Sequence, residues 1–302
     1  TNKTPGHDPE LTEVGSGTPM GEYMRGFWHP VCMSIELTDT PRFLTILGEE
    51  LVAFRDGSGR VGVLHAHCVH RGASLEYGLI QERGIKCCYH GMVFDVDGTC
   101  LNAPFPKGEE AEAEKYACSI QQGAYKAFER NGLVFAYMGP PDKEPPFPEW
   151  ESDFTVAPGD ELVPYSNFQH CNWLQVQDNA ADNFHTAELH AAKNVVGGHF
   201  QGTTFDEVGA PTMEVHPDMQ FVPIHGGRGL ACSGARRVNN DKLFIRVQHQ
   251  VLPNLSLHAY TSENCANKKL FSRFHIIRWT VPVDDVNSKM IGWRVMGPGI
   301  DT

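Results

Sequence analysis

The residues best suited to chemistry lie in two groups. The first is Cys68-Val69-His70-Arg71-Gly72 followed by Cys87-Cys88-Tyr89-His90-Gly91, which is C-x-H, a gap of sixteen residues, then C-x-x-H. Two thiolates on one iron and two imidazoles on the other are what a mixed-ligand two-iron, two-sulfide cluster requires. Two short loops, each offering one Cys and one His, meet that demand if a hairpin brings them together. The glycine after each histidine lets the backbone approach the sulfides closely. A zinc finger pairs its cysteines first and its histidines later, a different order, so a closed zinc site is the weaker alternative. The ligands read from this pattern are Cys68, His70, Cys87 and His90. Using Cys88 in place of Cys87 would turn the second loop into C-x-H, so Cys88 is read as a small apolar filler. His65 and His67 read as surface or packing histidines. Cys32, Cys100, Cys118, Cys171, Cys232 and Cys265 read as buried thiols.

The second group lies roughly a hundred residues on, where Asp182, His185 and His190 give D-x-x-H-x4-H. A ferrous site that activates oxygen uses two histidines and a carboxylate on one face, with open positions left for oxygen and substrate. On an ideal helix His185 falls about 60° to one side of Asp182 and His190 about 80° to the other. The two imidazoles cannot then reach one metal without a bend or break between them. The alternative is an amphipathic helix with two incidental histidines. A further acidic pair, Asp284-Asp285, reads as an end-of-strand turn that binds nothing. Arg228, in Gly226-Gly227-Arg228-Gly229, is a turn candidate.

The elements that must position these groups follow from pattern. Arg42 to Leu47, Leu51 to Arg55, Val61 to Leu64 and Val134 to Met138 read as strands, with Asp56-Gly57 and Asp97-Gly98 at hairpin turns. Residues 1–20, polar and rich in Gly and Pro, read as a loop or arm. Five prolines in the ten residues 139–148 cannot continue a sheet or helix interior and mark a boundary. Residues 172–193 form the best helical segment, and Leu243 to Val247, Arg273 to Val281 and Met290 to Val295 read as longer strands. The expected organisation is an arm at 1–22, a cluster-binding domain at 23–139 and a catalytic domain at 140–302, with strands dominating an α+β chain.

Composition narrows the function classes. The 302 residues are 41% hydrophobic and 21% charged, as in a globular protein, and suffice for one large domain or two ordinary ones. The formal net charge of −12 argues against nucleic acid or an anionic membrane surface as the main partner. No stretch approaches the roughly 18 apolar residues of a membrane-crossing helix. The start of the sequence lacks the apolar segment of a secretory signal. Nine scattered cysteines do not read as a disulfide framework, so a cytoplasmic setting is expected.

The two cysteine–histidine loops resemble the Rieske domain of ring-hydroxylating and demethylating oxygenases. The run from Asn172 and Trp173 to His190 is similar to the segment N-W-x4-D/E-N-x-x-D-x-x-H-x4-H of the same family. The likeness extends from about residue 18 onward, closest to the phthalate-dioxygenase-like branch. Val69 and Met92 stand where the family more commonly has Pro and Trp. Ala73 and Tyr89 stand where respiratory Rieske proteins carry a disulfide, which favours the oxygenase branch. The resemblance implies a β-rich Rieske domain and a helix-grip catalytic domain, a curved antiparallel sheet around a helix. It also implies a [2Fe–2S] cluster at Cys68, His70, Cys87 and His90, and a mononuclear iron at His185 and His190. Asp182 would not be a ligand. It would link an iron-ligating histidine to a cluster histidine of the neighbouring subunit, while Asp178 and Asn179 match bracing positions. The ligating carboxylate is expected on a C-terminal helix beyond the end of this sequence. The implied partners are an NAD(P)H-dependent reductase, a ferredoxin in some systems, dioxygen, a small organic substrate, and further copies in a homotrimer or pair of trimers. The alternative is a Rieske electron carrier with no oxygenase activity of its own.

Overall fold

The structure, a computed structural model, describes residues 6–147, 159–189, 215–238, 242–259 and 274–297. The chain divides into two compact units: residues 1–148 with 164–173 and 281–291, and residues 149–163 with 174–280 and 292–302. The architecture is α+β, with mostly antiparallel sheets and few helices, as the strand-rich pattern predicts.

The expected arm is instead helical in part. Helices α1 (Pro9–Thr12) and α2 (Pro19–Arg25) start at a proline behind an Asp8 or Thr18 N-cap, each of which accepts an N–H from the first turn. A proline at this position has its φ preset and no N–H to leave unpaired. Strands β1 (Trp28–Met33), β2 (Arg42–Ile46), β3 (Glu49–Arg55) and β4 (Val61–His65) follow, and then the short strands β5 (Leu79–Ile80), β6 (Ile85–Lys86), β7 (Val93–Phe94) and β8 (Cys100–Asn102). Helix α3 (Glu110–Cys118) leads into β9 (Ala124–Arg130) and β10 (Leu133–Tyr137). A six-stranded sheet runs β1-β10-β9-β4-β3-β2, and a four-stranded sheet runs β5-β6-β7-β8. The turns Leu47-Gly48 and Asn131-Gly132 both have positive φ at two successive residues. That is the type I′ geometry whose twist matches the strands it joins.

The two sheets are tied together by polar groups. Gly57 and Ser58 donate backbone N–H groups to Gln81 and Glu82, so the β3–β4 turn pairs with the β5–β6 turn. Beneath them the buried carboxylates Asp56 and Asp95 share Arg60, at 2.7 Å from each, and Arg83 adds a 2.5 Å contact to Asp95. Burial alone would push both carboxyls up, but hydrogen bonds from Ser58, Gly84 and Arg60 to Asp56, and from Arg60, Val96 and Arg83 to Asp95, hold them below the usual range.

The second half adds β11 (Glu161–Gln169), α4 (Trp173–Ala181), β12 (Asp218–Ile224), β13 (Gly229–Val238), β14 (Lys242–Val251), β15 (Leu255–Ala259), β16 (Phe274–Pro282) and β17 (Ser288–Met296). The strands form one sheet ordered β11-β17-β16-β15-β14-β13-β12. Helix α4 lies on one face of it, where Gln177 bonds Gln250 at 2.6 Å and meets Ser256. The helix is shorter than the sequence predicts. It ends at Ala181 because the Asp182 carboxylate captures the Phe184 N–H at 2.6 Å, a local bond that competes with helical pairing. Residues 190–193 of the expected helix lie outside the described residues. Arg228 follows a turn with positive φ at Gly226 and Gly227.

Gly84 closes the β5–β6 hairpin at φ +79°, and a Cβ there would sit 2.0 Å from the Phe94 carbonyl oxygen. Gly84→Ala is therefore expected to cost more than about 2 kcal/mol, read as a lowered midpoint in urea unfolding. A midpoint shift within error would show that the hairpin yields freely.

Candidate metal centres

The four residues of the first group converge. The loops Cys68–Ala73 and Cys87–Met92 have one construction, although their histidines stand at different offsets. In each, the cysteine N–H donates to the carbonyl five residues on, at 2.8 Å to Ala73 and 2.7 Å to Met92. In each, the glycine N–H returns to the cysteine carbonyl, at 2.8 Å from Gly72 and 3.1 Å from Gly91. Those glycines have φ of 72° and 78°, in the left-handed region that a side chain disfavours. The two thiols are buried side by side in a core formed with Val52, Phe54, Leu64, Leu75, Ile85, Met92 and Phe94. Burial pushes the Cys68 thiol up to about 11, Cys87 beside it adds to the rise, and the N–H groups of His70 and Arg71 oppose it. The imidazoles lie farther out. His70 is half-buried and His90 exposed, with ring centroids 4.8 Å apart.

This donor set fits a mixed-ligand [2Fe–2S] cluster, with two adjacent thiols inward and two imidazoles outward. Among the described residues no three His, Cys, Asp or Glu side chains converge on one ion. A two-iron cluster makes no such demand, because each iron takes only two protein ligands.

Only part of the second group is described. His185 opens a 3-10 turn, His185–Ala187, after the helix has ended. The helix has thus already broken at Asp182–Phe184, and the break that the spacing predicts between His185 and His190 runs beyond the described residues. His190 lies outside the described residues. His185 Nδ1 is 3.2 Å from Asp182 Oδ2, and Asn179 Nδ2 is 3.4 Å from His185 Nε2. The carboxylate favours the proton on Nδ1, so Nε2 carries the lone pair, which here faces the Asn179 amide and is the one an imidazole of this tautomer offers to a metal. This imidazole and its carboxylate suit one ligand of a mononuclear iron.

Residues 27–122 match the model of the Rieske [2Fe-2S] domain. The chain is 46% identical, over 97% of its length, to the tert-butanol monooxygenase / tert-amyl alcohol desaturase oxygenase subunit of Aquincola tertiaricarbonis, and it spans 60% of that relative. It is 30% identical over 99% of its length to the phthalate 4,5-dioxygenase oxygenase subunit of Pseudomonas putida, spanning 69% of it. The chain belongs to the Rieske oxygenase family. In fold it is similar to dicamba monooxygenase bound to dicamba, with a TM-score of 0.65 at 21% identity, over 90% of this chain and 77% of that one.

Two side chains, one in this Rieske domain and one in the second unit, explain features that no local pattern in the sequence signals. Buried Gln122 accepts the Val69 N–H at 2.8 Å and donates to the carbonyls of His65 and His67 at 2.9 and 3.0 Å. Val69 occupies the place of the family's commoner proline, and a proline has no N–H to give. The second side chain is Arg236 on β13, 1% exposed, whose Nη2 donates to the Asn183 carbonyl at 2.8 Å and to Thr186 Oγ1, while Nε donates to the Val215 carbonyl. It holds the turn that presents His185. No spacing rule points to either, since both act through contacts distant in sequence.

The remaining expectations divide. His65 and His67 are exposed, with His67 bonded to Glu50 at 2.7 Å. Cys88 is exposed rather than a filler, because its loop turns it outward while Cys87 faces the core. Cys32, Cys100 and Cys232 are buried as predicted, Cys118 is exposed, Cys171 is half-buried, and Cys265 lies outside the described residues. Asp284 accepts three hydrogen bonds from Asn287 and one from Val286, the turn role expected, whereas Asp285 accepts the Val14 N–H from far along the sequence. Asp178, the other bracing position beside Asn179, falls within α4.

Gln122→Leu takes the partner from three partly buried backbone groups and is expected to cost about 2 kcal/mol and to lower acid-labile sulfide per chain. Gln121→Leu, at an exposed neighbour, serves as the control. Equal sulfide in the two variants would remove the clamp role.

Proposed function

We propose that this chain is the terminal oxygenase component of a multicomponent Rieske oxygenase, acting with dioxygen and NAD(P)H-derived electrons on a small organic substrate. The observation that carries it is the presence, on one chain, of a preformed cluster site and a carboxylate-backed imidazole at a helix end. The site residues of this reading are Cys68, His70, Cys87 and His90 for the cluster and His185 with His190 for the iron. Asp182 is the relay between centres. The named relatives include monooxygenase and dioxygenase oxygenase subunits, and hydroxylation or O/N-dealkylation is the chemistry proposed for this chain.

When bound, the cluster supplies electrons singly and the mononuclear iron activates dioxygen. The chain's own residues do the positioning. Asp182 keeps the proton on His185 Nδ1, the Asn179 amide at Nε2 would give way to the iron, and Arg236 fixes the turn against the sheet. An arm at 1–22, a Rieske domain at 23–139 and a catalytic domain at 140–302 complete the organisation proposed. So do a reductase partner, with a ferredoxin in some systems, and assembly as a trimer or pair of trimers, where the relay would cross a subunit boundary. No helix among the described residues is long and apolar enough to cross a membrane, and the described cysteines are free thiols, which supports a cytoplasmic setting.

Metal and sulfide analysis of the purified full-length protein, with an EPR spectrum after dithionite reduction, tests this reading. About three irons and two sulfides per chain with a Rieske signal are expected, whereas zinc without sulfide would overturn it. In Asp182→Asn, cluster reduction should survive while substrate-dependent oxygen uptake falls roughly 10- to 100-fold. Full uptake in that variant would remove the relay role.

A further inference from the structure

Ending α4 early leaves a carbonyl without its helical donor. In a continuing helix the Phe184 N–H would reach the carbonyl four residues back, that of Ala180. Here it donates to Asp182 Oδ1 instead, while the Asp182 N–H bonds the carbonyls of Asp178 and Asn179. Ala180 is buried, so an unpaired carbonyl there is costly. The missing donor comes from the sheet. Buried Gln248 stands on β14 between Cys232 and His258, its partners on the two neighbouring strands.

Both ends of the Gln248 carboxamide are used. One end lies 3.0 Å from the Asn183 carboxamide. With its oxygen at that end it also accepts from Arg246 Nε at 3.3 Å, and its Nε2 then donates to the Ala180 carbonyl. The reverse orientation would set oxygen against the Ala180 carbonyl and nitrogen against the Arg246 N–H, so the surrounding groups select the first. With Asn183 turned likewise, its Nδ2 gains the Gln248 oxygen. That Nδ2 is otherwise without a partner among the described residues.

These contacts bracket Asp182, since Ala180 and Asn183 lie on either side of it, and its carboxylate bonds His185 Nδ1 at 3.2 Å. We propose that Gln248 is a positioning residue for the Asp182–His185 pair. By supplying the donor that the broken helix withholds from Ala180, it fixes the direction of the Asp182 carboxylate and hence of the His185 ring. This role deepens the oxygenase reading above and rests on it. Without Gln248 the Phe184 N–H would have two competing acceptors, the Asp182 carboxylate and the Ala180 carbonyl. Pairing with Ala180 would add residues to the helix and release Asp182 from the bond that now orients it. Arg236 cannot substitute, because it reaches Asn183 and Thr186 but not the end of the helix.

The test is the EPR spectrum of the ferrous–nitrosyl adduct, made by adding nitric oxide to the full-length, iron-loaded protein, together with iron affinity from chelator competition. Gln248→Met removes the donor. It should weaken iron binding roughly three- to tenfold, less than loss of a group bonded to the ligand itself, and broaden the nitrosyl signal into more than one species. Gln248→Glu keeps an acceptor for Arg246 and Asn183 but cannot donate to Ala180. It should broaden the signal as well, and it serves if the Met variant fails to fold. Gln250→Met removes a different bond between the same strand and helix, that to Gln177, and should leave the signal sharp while lowering the urea midpoint. The Rieske signal should be the same in all three variants. A wild-type nitrosyl spectrum and iron affinity in either Gln248 variant would overturn the positioning role. So would equal broadening in Gln250→Met, which would show a general loosening of α4. A wild-type protein that takes up no iron and gives no nitrosyl signal would instead sink the oxygenase reading itself.

Discussion

Two thiols, held together inside an apolar core, are the constraint on which the first unit depends. Burial drives the Cys68 thiol upward, and Cys87 beside it adds to the rise. The surrounding chain is built so that the cost is confined to the thiols. The backbone groups at both cysteines are satisfied within their own loops, by N–H to carbonyl bonds that recur at Ala73 and Met92 and at Gly72 and Gly91. A buried backbone group left unpaired would cost as much as the contact it displaced. The loops therefore need a floor, and the four-stranded sheet with its Asp56–Arg60–Asp95 network supplies it. Histidines that must meet a cluster at its outer edge are left near the surface, where the chain turns back.

The second unit applies the same logic to a helix end. Helix termini leave carbonyl and N–H groups without helical partners. At the end of α4 these are taken up by the Asp182 carboxylate, which captures the Phe184 N–H, and by the buried guanidinium of Arg236, which takes the Asn183 carbonyl. One aspartate thus both stops the helix and fixes the tautomer of the imidazole three residues on. The arginine that serves this turn shares its sheet face with Arg246 and Arg278, so the turn before His185 and a row of cations are parts of one arrangement.

Much of this was legible from residue order because the causes are local. The ligand types and spacing of Cys68, His70, Cys87 and His90 need only two short loops, and each loop satisfies its own hydrogen bonds. The strands around Leu51 to Arg55, Val61 to Leu64 and Val134 to Met138 follow from short apolar runs between turns. The turn at Asn131-Gly132 and the Pro-led helices α1 and α2 carried equally local signals that the pattern reading passed over. The early end of α4 was harder, since Asp182 is compatible with a helix until its side chain is given a competing N–H.

What remained hidden is what depends on pairs distant in sequence. Gln122 and Val69 are joined across 53 residues, and Arg236 and Asn183 across the same separation. No periodicity or spacing rule connects them. Likewise, the gathering of Arg236, Arg246 and Arg278 on one face follows from strand register, and a slip of one residue would turn a whole strand's side chains to the other face. Sequence alone determined the donor chemistry, because ligand identity and loop length are properties of contiguous residues. Tertiary structure decided which groups brace those donors and which charges share a sheet face, because burial and register exist only once separate strands have paired.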